Sequence, residues 1–596
     1  MATKRWILLL LAAAMMTLLA GCGGSTFNVQ NPGPPAQSQV TIAFGTQPAP
    51  TIAAGSSETI TAVVTNDPDN LGVTWALSCN PTGNCGTLTV DGVATTQTAS
   101  GSPILYTAPS SLAGNSAVVQ IVALATYDPN KNAVAPITIG SFGGLQTAKN
   151  YVFQAQGTTA AGSPYQIAGV IHVDGMGGIV PVAPGQPAGE QTSNPNGVAV
   201  TDSIVSGSYF IGSDGRGTIT INTGDTSIGG NGIETFTTVF LNGGTNPQGL
   251  IAQVDFGSAK TGVSARGTLD LQQVGFGAPA GSYAFVVNGT DTVDSLPMGL
   301  GGVFDIQSQG AVTGVVDEVL GEKVKLSDSA FLTGSQISAP DQYGQVTLTL
   351  TGLLDGIHPK TVGAVFAGYI VDATHIDLIE TDTATTSTVT PLGFTGGLAI
   401  GQTSGSFGTF TDASLLGPFT YGVTGVDLAQ LNTLPNTWTL AGVVTADGQS
   451  DGALTSGYID SFLDVNCVQA TCVTGGTTGA QISSTFTGTY AVDSASSSCG
   501  ATSGTVVAGT GRACLIPTTF GSTPSPTYRP ELYFYLTGQT GEGEVGALVL
   551  GVGDNGTSPN LHYPSLGTGI AYVQSGAAAT FAGPYGISFT DRKSVV

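Results

Sequence analysis

Apolar and polar residues alternate with a period of two along most of the chain, as they do in β-strands that bury one face. Four segments show it most clearly: KNYVFQAQG from Lys149, GSYAFVVNG from Gly281, GPFTYGVTG from Gly417 and GPYGISFTD from Gly583. Their third, fifth and seventh positions make one apolar face: Tyr151, Phe153 and Ala155; Tyr283, Phe285 and Val287; Phe419, Tyr421 and Val423; Tyr585, Ile587 and Phe589. Behind each of the first three, further alternating runs follow in matching order, separated by short Gly- and Asp-containing turns. Each pattern predicts a strand and each turn a hairpin. No run has a helical period.

The starts at Lys149, Gly281, Gly417 and Gly583 lie 132, 136 and 166 residues apart. Solenoid repeats span about 20 to 50 residues, so these units are whole domains. Strands joined by short hairpins make an antiparallel meander, and about eight of them close into an up-and-down barrel of lipocalin type that leaves no free edge. An open β-sandwich is the alternative fold. In QVTLTLTG, Val346, Leu348 and Leu350 should face inward and Thr347, Thr349 and Thr351 outward.

Before the repeats, residues 40–140 carry shorter alternating runs, among them ETITAVVTND, GVTWALSC, PILYTAP and AVVQIVALATYD, which predict a small β-sandwich with Trp75 in its core. The set VTW…C…CGTL…YTAP resembles bacterial immunoglobulin-like domains. The expected layout is thus an all-β chain: an immunoglobulin-like domain over 40–140, β-meander units over 141–275, 276–410 and 411–577, and the start of a fourth over 578–596, read as truncated. The units are similar to a tandem repeat of unassigned activity in large bacterial surface lipoproteins with immunoglobulin-like domains.

Composition narrows the partners. The 596 residues hold 14 Lys and Arg against 38 Asp and Glu, a formal charge of −24, so nucleic acid is repelled and is not an expected partner. Glycine, 88 residues, is about twice its usual share of roughly 7%, in keeping with many turns. Beyond the first twenty residues no run approaches the about 18 apolar residues of a spanning helix.

Those first residues, MATKRWILLLLAAAMMTLLAGCGG, set Lys4 and Arg5 before an apolar run from Trp6 to Leu19, which is an export signal. The ending LAGC resembles the lipobox of bacterial lipoproteins. That resemblance implies removal of residues 1–21, several acyl chains on Cys22, a Gly-, Ser- and Pro-rich tether over 22–39, and an outer-membrane address. The membrane, through this anchor, is one expected partner; glycans or surface proteins are the others.

Six further cysteines suit an oxidising compartment and fall into local couples, giving the expected disulfides Cys79–Cys85, Cys467–Cys472 and Cys499–Cys514. The last two couples lie in the extra length of the third unit, as staples of insertions. No metal or cofactor is expected, because no CxxC occurs and His172, His358, His375 and His562 are scattered.

Catalytic signals are weak. Asp174, Asp214, Asp447, Asp451 and Asp554 all stand in turns, where Asp-Gly is selected by backbone conformation alone, although Asp447 with Asp451 has the form of a carboxylate pair. NDPDN at Asn66 to Asn70 offers oxygen ligands for calcium, but reads first as a turn. Arg216, at a hairpin tip, could meet an acidic glycan. His172 and His375 read as ordinary strand residues. The expectation is a non-catalytic, membrane-anchored structural or adhesive surface protein with weak multivalent binding. The alternatives are a secreted polysaccharide hydrolase and a small-ligand carrier.

Overall fold

The computed structural model describes residues 39–574 apart from internal stretches, the longest being 354–361, 382–392, 428–435, 464–479, 521–530 and 553–564. Among the described residues the only helical elements are two short turns, Ser308–Gly310 and Asp412–Ser414, and the fold is all-β. The strand expected at Tyr585, Ile587 and Phe589 lies outside the described residues.

Residues 41–140 form a sandwich. One sheet runs in the order Thr41–Thr46, Ser57–Thr65, Pro103–Thr107, Thr87–Val90, Val93–Ala94. The other runs Thr51–Ala53, Asn132–Gly140, Ser116–Ala125, Val73–Asn80, Gln97–Thr98. Trp75 is buried between them as expected, its indole N–H donating to Thr98 Oγ1 at 2.9 Å.

Each later unit closes a ring of eight strands. Unit 3 is the plain case: Leu416–Asp427, Asn436–Asp447, Ala453–Leu463, Ala480–Val492, Arg512–Phe520, Glu531–Leu536, Val545–Val552 and Ser565–Val573 pair in chain order, and the last returns to the first. In unit 2 the strands Gly281–Asp291, Pro297–Ile306 and Val312–Leu320 lead on one side, and Gln336–Ile337, Gln345–Leu353, Val362–Asp372, His375–Glu380 and Gly393–Gly401 return on the other. A single bridge between Ala311 and Gln336 closes that ring, and Lys323–Asp328 pairs outside it.

Unit 1 forks. Its first strand, Lys149–Thr159, pairs with Pro164–Val173 and with Val263–Leu271, closing the ring through Gly178–Ile179, Ser206–Ile211, Arg216–Asn222, Ile233–Phe240 and Gln248–Asp255. An extra hairpin, Gly189–Ser193 with Val200–Ile204, leaves the wall at Pro164–Val173. The sequence pattern did not reveal this hairpin, because GEQTS and VTDSI lack an apolar alternation. The closed rings replace the open-sandwich alternative.

The interiors are packed. The three strand-one faces, from Tyr151, Tyr283 and Phe419 onward, all lie in the barrel cores. Val346, Leu348 and Leu350 are buried while Thr347 is exposed and Thr349 half-exposed, as the alternation requires. Inside unit 1, the space lined by Phe153, Ile171, Ile219, Phe236 and Leu269 amounts to about 10 Å³, the volume one water needs.

Candidate functional site

Of the residues singled out by sequence, two disulfides are in place: Cys79–Cys85 with Cα atoms 5.4 Å apart and Cys499–Cys514 with 5.6 Å. Cys22, Cys467, Cys472, His358, Asp451, Asp214, Asp554 and His562 lie outside the described residues. Asp174 accepts the backbone N–H groups of Met176 and Gly178 at 2.7 and 2.8 Å, an Asx turn. Asp447 accepts Gln449 N–H at 2.9 Å and the Tyr490 hydroxyl at 2.9 Å, so its lone pairs serve the turn. Asp67 of NDPDN accepts Gly72 N–H at 2.9 Å, again a turn. Arg216 is exposed at the start of its strand. Among the described residues no group of three or more His, Cys, Asp or Glu side chains is arranged to hold a metal. In the sandwich, an open groove of about 590 Å³ is lined by Trp75, Leu77, Leu88, Thr87, Thr95 and Thr96, with no charged side chain among its lining residues.

The densest polar cluster is one the motifs missed. At the fork of unit 1, Glu234 is fully buried; its carboxylate accepts Gln191 Nε2 at 2.5 Å on one oxygen and Gln253 Nε2 at 3.2 Å on the other. Gln253 also donates to Asp255 at 2.8 Å, and Asp255 accepts Thr235 N–H at 2.7 Å. Burial pushes the Glu234 carboxyl up to about 8, against hydrogen bonding from Gln191 and with help from Asp255, Asp202 and Asp225. Burial also raises Asp255, and burial together with Asp225 raises Asp202. The signal lay in strand parity. In IETFTTVF, Glu234 shares its face with inward Phe236 and Phe240; in LIAQVD, Gln253 and Asp255 share theirs with Ile251.

Larger in extent are two junctions where one barrel packs on the next, wall against wall. At the first, Val152, Ala168 and Val170 of unit 1 meet Ala367, Tyr369 and Val371 of unit 2. At the second, Ala284, Val286 and Val303 of unit 2 meet Tyr533, Tyr535 and Leu550 of unit 3. The strand registers show the contributing positions to be equivalent. Val152 pairs with Val170 and Ala284 with Val303, each three residues into the unit. Tyr369 and Tyr535 lie opposite Gln345 and Arg512, each just after a glycine at positive φ, Gly344 and Gly511. We call the first surface of each unit the donor wall and the second the acceptor wall.

The donor is a glutamine set one residue past the last strand. Gln272 of unit 1 donates through Nε2 to the carbonyls of Tyr343 and Ile370 in unit 2, both at 2.8 Å. Gln402 of unit 2 donates to the carbonyls of Thr510 and Leu536 in unit 3, at 2.9 and 2.7 Å. Each backbone N–H also ties back to its own first strand, Gln272 to Asn150 O and Gln402 to Ser282 O. A neutral amide with two N–H groups satisfies two buried carbonyls without bringing a charge into the interface.

Around each glutamine the chemistry differs. At the first junction Thr192 Oγ1 lies 2.7 Å from the Tyr369 hydroxyl, and Gln154 Nε2 donates to the Leu378 and Gly397 carbonyls. At the second, Asp317 takes the place of Thr192: it accepts the Tyr535 hydroxyl at 2.8 Å and Arg512 Nε at 2.6 Å, while Arg512 Nη1 reaches Asp493 at 2.8 Å. Arg512, Asp317 and Asp493 are all buried. The Arg512 guanidinium, disfavoured by burial, is held charged by Asp317 and Asp493.

The first junction corrects the reading of His375 as an ordinary strand residue. Its Nε2 stands 3.2 Å from Asp377 Oδ1, near Asp270 of unit 1. Burial alone would lower its pKa, but the Asp377 hydrogen bond and the charges of Asp377, Asp270 and Asp372 raise it to about 9. Burial raises Asp270 to about 6 although His375 opposes the shift. His172 stays ordinary: half-buried, Nδ1 2.8 Å from Asn150 Oδ1, and lowered by burial.

Comparisons with protein-family models, with curated proteins and with solved structures find no match for the chain.

Proposed function

We propose that the chain is a membrane-anchored, cell-surface structural or adhesive lipoprotein, held by acyl chains on Cys22 and acting without catalysis. The observation that carries this reading is the repeated junction: packed barrels joined wall to wall through the same glutamine make a continuous body suited to carrying a surface outward. Eight-stranded barrels can hold a small ligand only if hollow, and the filled core of unit 1 speaks against a carrier. Glycans or surface proteins remain the partners this reading favours, with the groove beside Trp75 as an uncharged surface for them.

One observation favours the hydrolase. Glu234, held near a pKa of about 8 beside Asp255, has the protonation of a general acid at neutral pH. It is fully buried, however, and a general acid must reach the bond it protonates.

The test compares the wild-type chain, Cys22→Ala and Glu234→Gln in the native host. Acyl labelling and membrane retention are expected in the wild type and lost in Cys22→Ala; label persisting in that variant would sink the anchor. The purified wild-type chain should bind a glycan or cell-surface panel without turning over polysaccharides or peptides. Turnover abolished by Glu234→Gln would install the hydrolase instead.

A further inference from the structure

The fork of unit 1 brings oxygen-bearing side chains together from three strands. Gly189–Ser193, the first strand of the extra hairpin, brings Gln191 to Glu234 of Ile233–Phe240, and Gln248–Asp255 adds Gln253 and Asp255. We propose that this cluster binds one calcium ion at this end of the barrel, held by the carboxylates of Glu234 and Asp255 and the amide oxygens of Gln191 and Gln253.

Two carboxylates already converge on one point. The Gln253 amide nitrogen lies 3.2 Å from Glu234 Oε2 and 2.8 Å from Asp255 Oδ2, and Gln191 Nε2 donates to the other Glu234 oxygen. Neutral N–H groups thus stand where a cation would draw both carboxylates in. The carbonyl half of each amide points to a ligand: Gln191 Oε1 and Gln253 Oε1 have no hydrogen-bond partner, on side chains that are fully buried. A half-turn of each amide about its last bond exchanges nitrogen for oxygen, so both glutamines can turn a carbonyl to the ion and no bond is lost on the oxygen side. The fully buried Tyr165 hydroxyl lies beside Gln253 as a further oxygen.

The donor set selects the ion. Two buried carboxylates without a counter-charge are costly, and the charges that act on Glu234 are those of Asp255, Asp202 and Asp225, all of its own sign. Anions are therefore repelled. No sulfur or imidazole takes part, and two carboxylates with two amides fall short of the three His, Cys, Asp or Glu ligands that a transition metal gathers. Carboxylate and carbonyl oxygens suit a hard divalent cation. Calcium accepts such oxygens directly in irregular geometry, whereas magnesium demands a near-ideal octahedron and keeps several waters, which a site this buried does not favour. Asp202 lies opposite Gln191 on the second hairpin strand, and it and Asp225 are half-buried, so carboxylates lead from the surface to the ion.

The backbone places these groups. Gln191 pairs with Gly169, two residues from inward Ile167 and Ile171, so it shares their face and points into the barrel. A Cβ on Gly169 would fall 2.8 Å from Gln191 Cβ, so glycine there lets the hairpin come close. Thr192, next in the chain, faces the other way and meets Tyr369 of unit 2. An ion on Gln191 thus also steadies the strand that forms the first junction.

The experiment is calorimetric titration of the full chain, freed of divalent ions by chelation, with calcium chloride and separately with magnesium chloride. Beside it stand Glu234→Gln, Asp255→Asn and a double variant of the NDPDN turn, Asp67→Asn with Asp69→Asn. The wild type should bind calcium with a dissociation constant on the order of 1 mM or tighter, and more tightly than magnesium. Its melting temperature should rise with calcium. Glu234→Gln and Asp255→Asn should each weaken binding by on the order of tenfold or more and lose that rise, since each removes a charged ligand, while the turn variant keeps both. Melts without calcium check that each variant folds, and either carboxylate variant suffices if the other does not. A wild type that binds no calcium overturns the proposal. So does binding that both carboxylate variants retain in full, the mark of loose attraction to a chain of charge −24. Loss of binding in the turn variant would put the ion in the sandwich instead, and magnesium bound as tightly as calcium would refute the choice of ion.

Discussion

A carboxyl buried inside a barrel stays neutral until the pH rises far enough to strip its proton, and Glu234 is such a group. Its pKa rises from 4.5 to about 8 on folding, chiefly by burial. Between those values the unfolded chain has released the proton and the folded chain retains it, so the group costs stability as pH climbs from about 4.5 to about 8. Glu234→Gln should remove that slope: little change in melting temperature at pH 4, and a gain on the order of a few kcal/mol above pH 8. The neutral amide can be accommodated because Gln191 Oε1 and Gln253 Oε1 lack partners, so one amide flip pairs the new N–H₂. Equal pH slopes in the two proteins would refute the assignment. Asp255 and Asp202, also raised, should leave a smaller slope of the same sign. The inward parity of Glu234 was legible in the sequence. Its convergence with Gln191 was not, because that residue arrives on a hairpin without apolar alternation.

At the scale of the strand, the sequence shows period and order but not what lies beyond the outward face. GLGGVF reads only as a glycine-rich strand. In the structure, a Cβ on Gly301 would fall 2.3 Å from the Tyr535 ring, and one on Gly299 2.6 Å from Leu566 Cδ1, so glycine lets the third barrel come close. Tyr535 cannot swing aside without losing its hydrogen bond to Asp317. Gly301→Ala should therefore destabilise by about 1 to 3 kcal/mol, as overpacking does. Gly422→Ala is the control, since nothing among the described residues lies within 4 Å of its added Cβ. Equal denaturant midpoints for the two variants would contradict the close approach. The repeated glutamine was visible in the sequence only as LQQ, IGQ and VQS, and no local rule distinguishes a docking amide from a surface one. The register of each junction supplies that distinction.

At the scale of the molecule, the unit spacing and the strand-one faces announced tandem domains, while the coupling between them stayed hidden. Asp317 and Arg512 are 195 residues apart, and nothing in a repeat period says which outward residue of one unit meets which of the next. Their contact makes units 2 and 3 thermodynamic neighbours, each stabilised by the interface it shares, as in repeat proteins. Asp317→Ala tests the coupling. It leaves the Arg512 guanidinium buried beside Asp493 without the Asp317 charge and strips the Tyr535 hydroxyl of its acceptor. Breaking one side of a buried ion pair costs about 3 to 5 kcal/mol, and here the cost falls on the interface, since Asp317 belongs to one unit and Arg512 to the other. Calorimetry of the wild-type chain should show units 2 and 3 melting together. In the variant, unit 3 should separate as an earlier transition with the later ones nearly unmoved. A single transition shifted as a whole would mean that Asp317 stabilises its own barrel and that the junction transmits little.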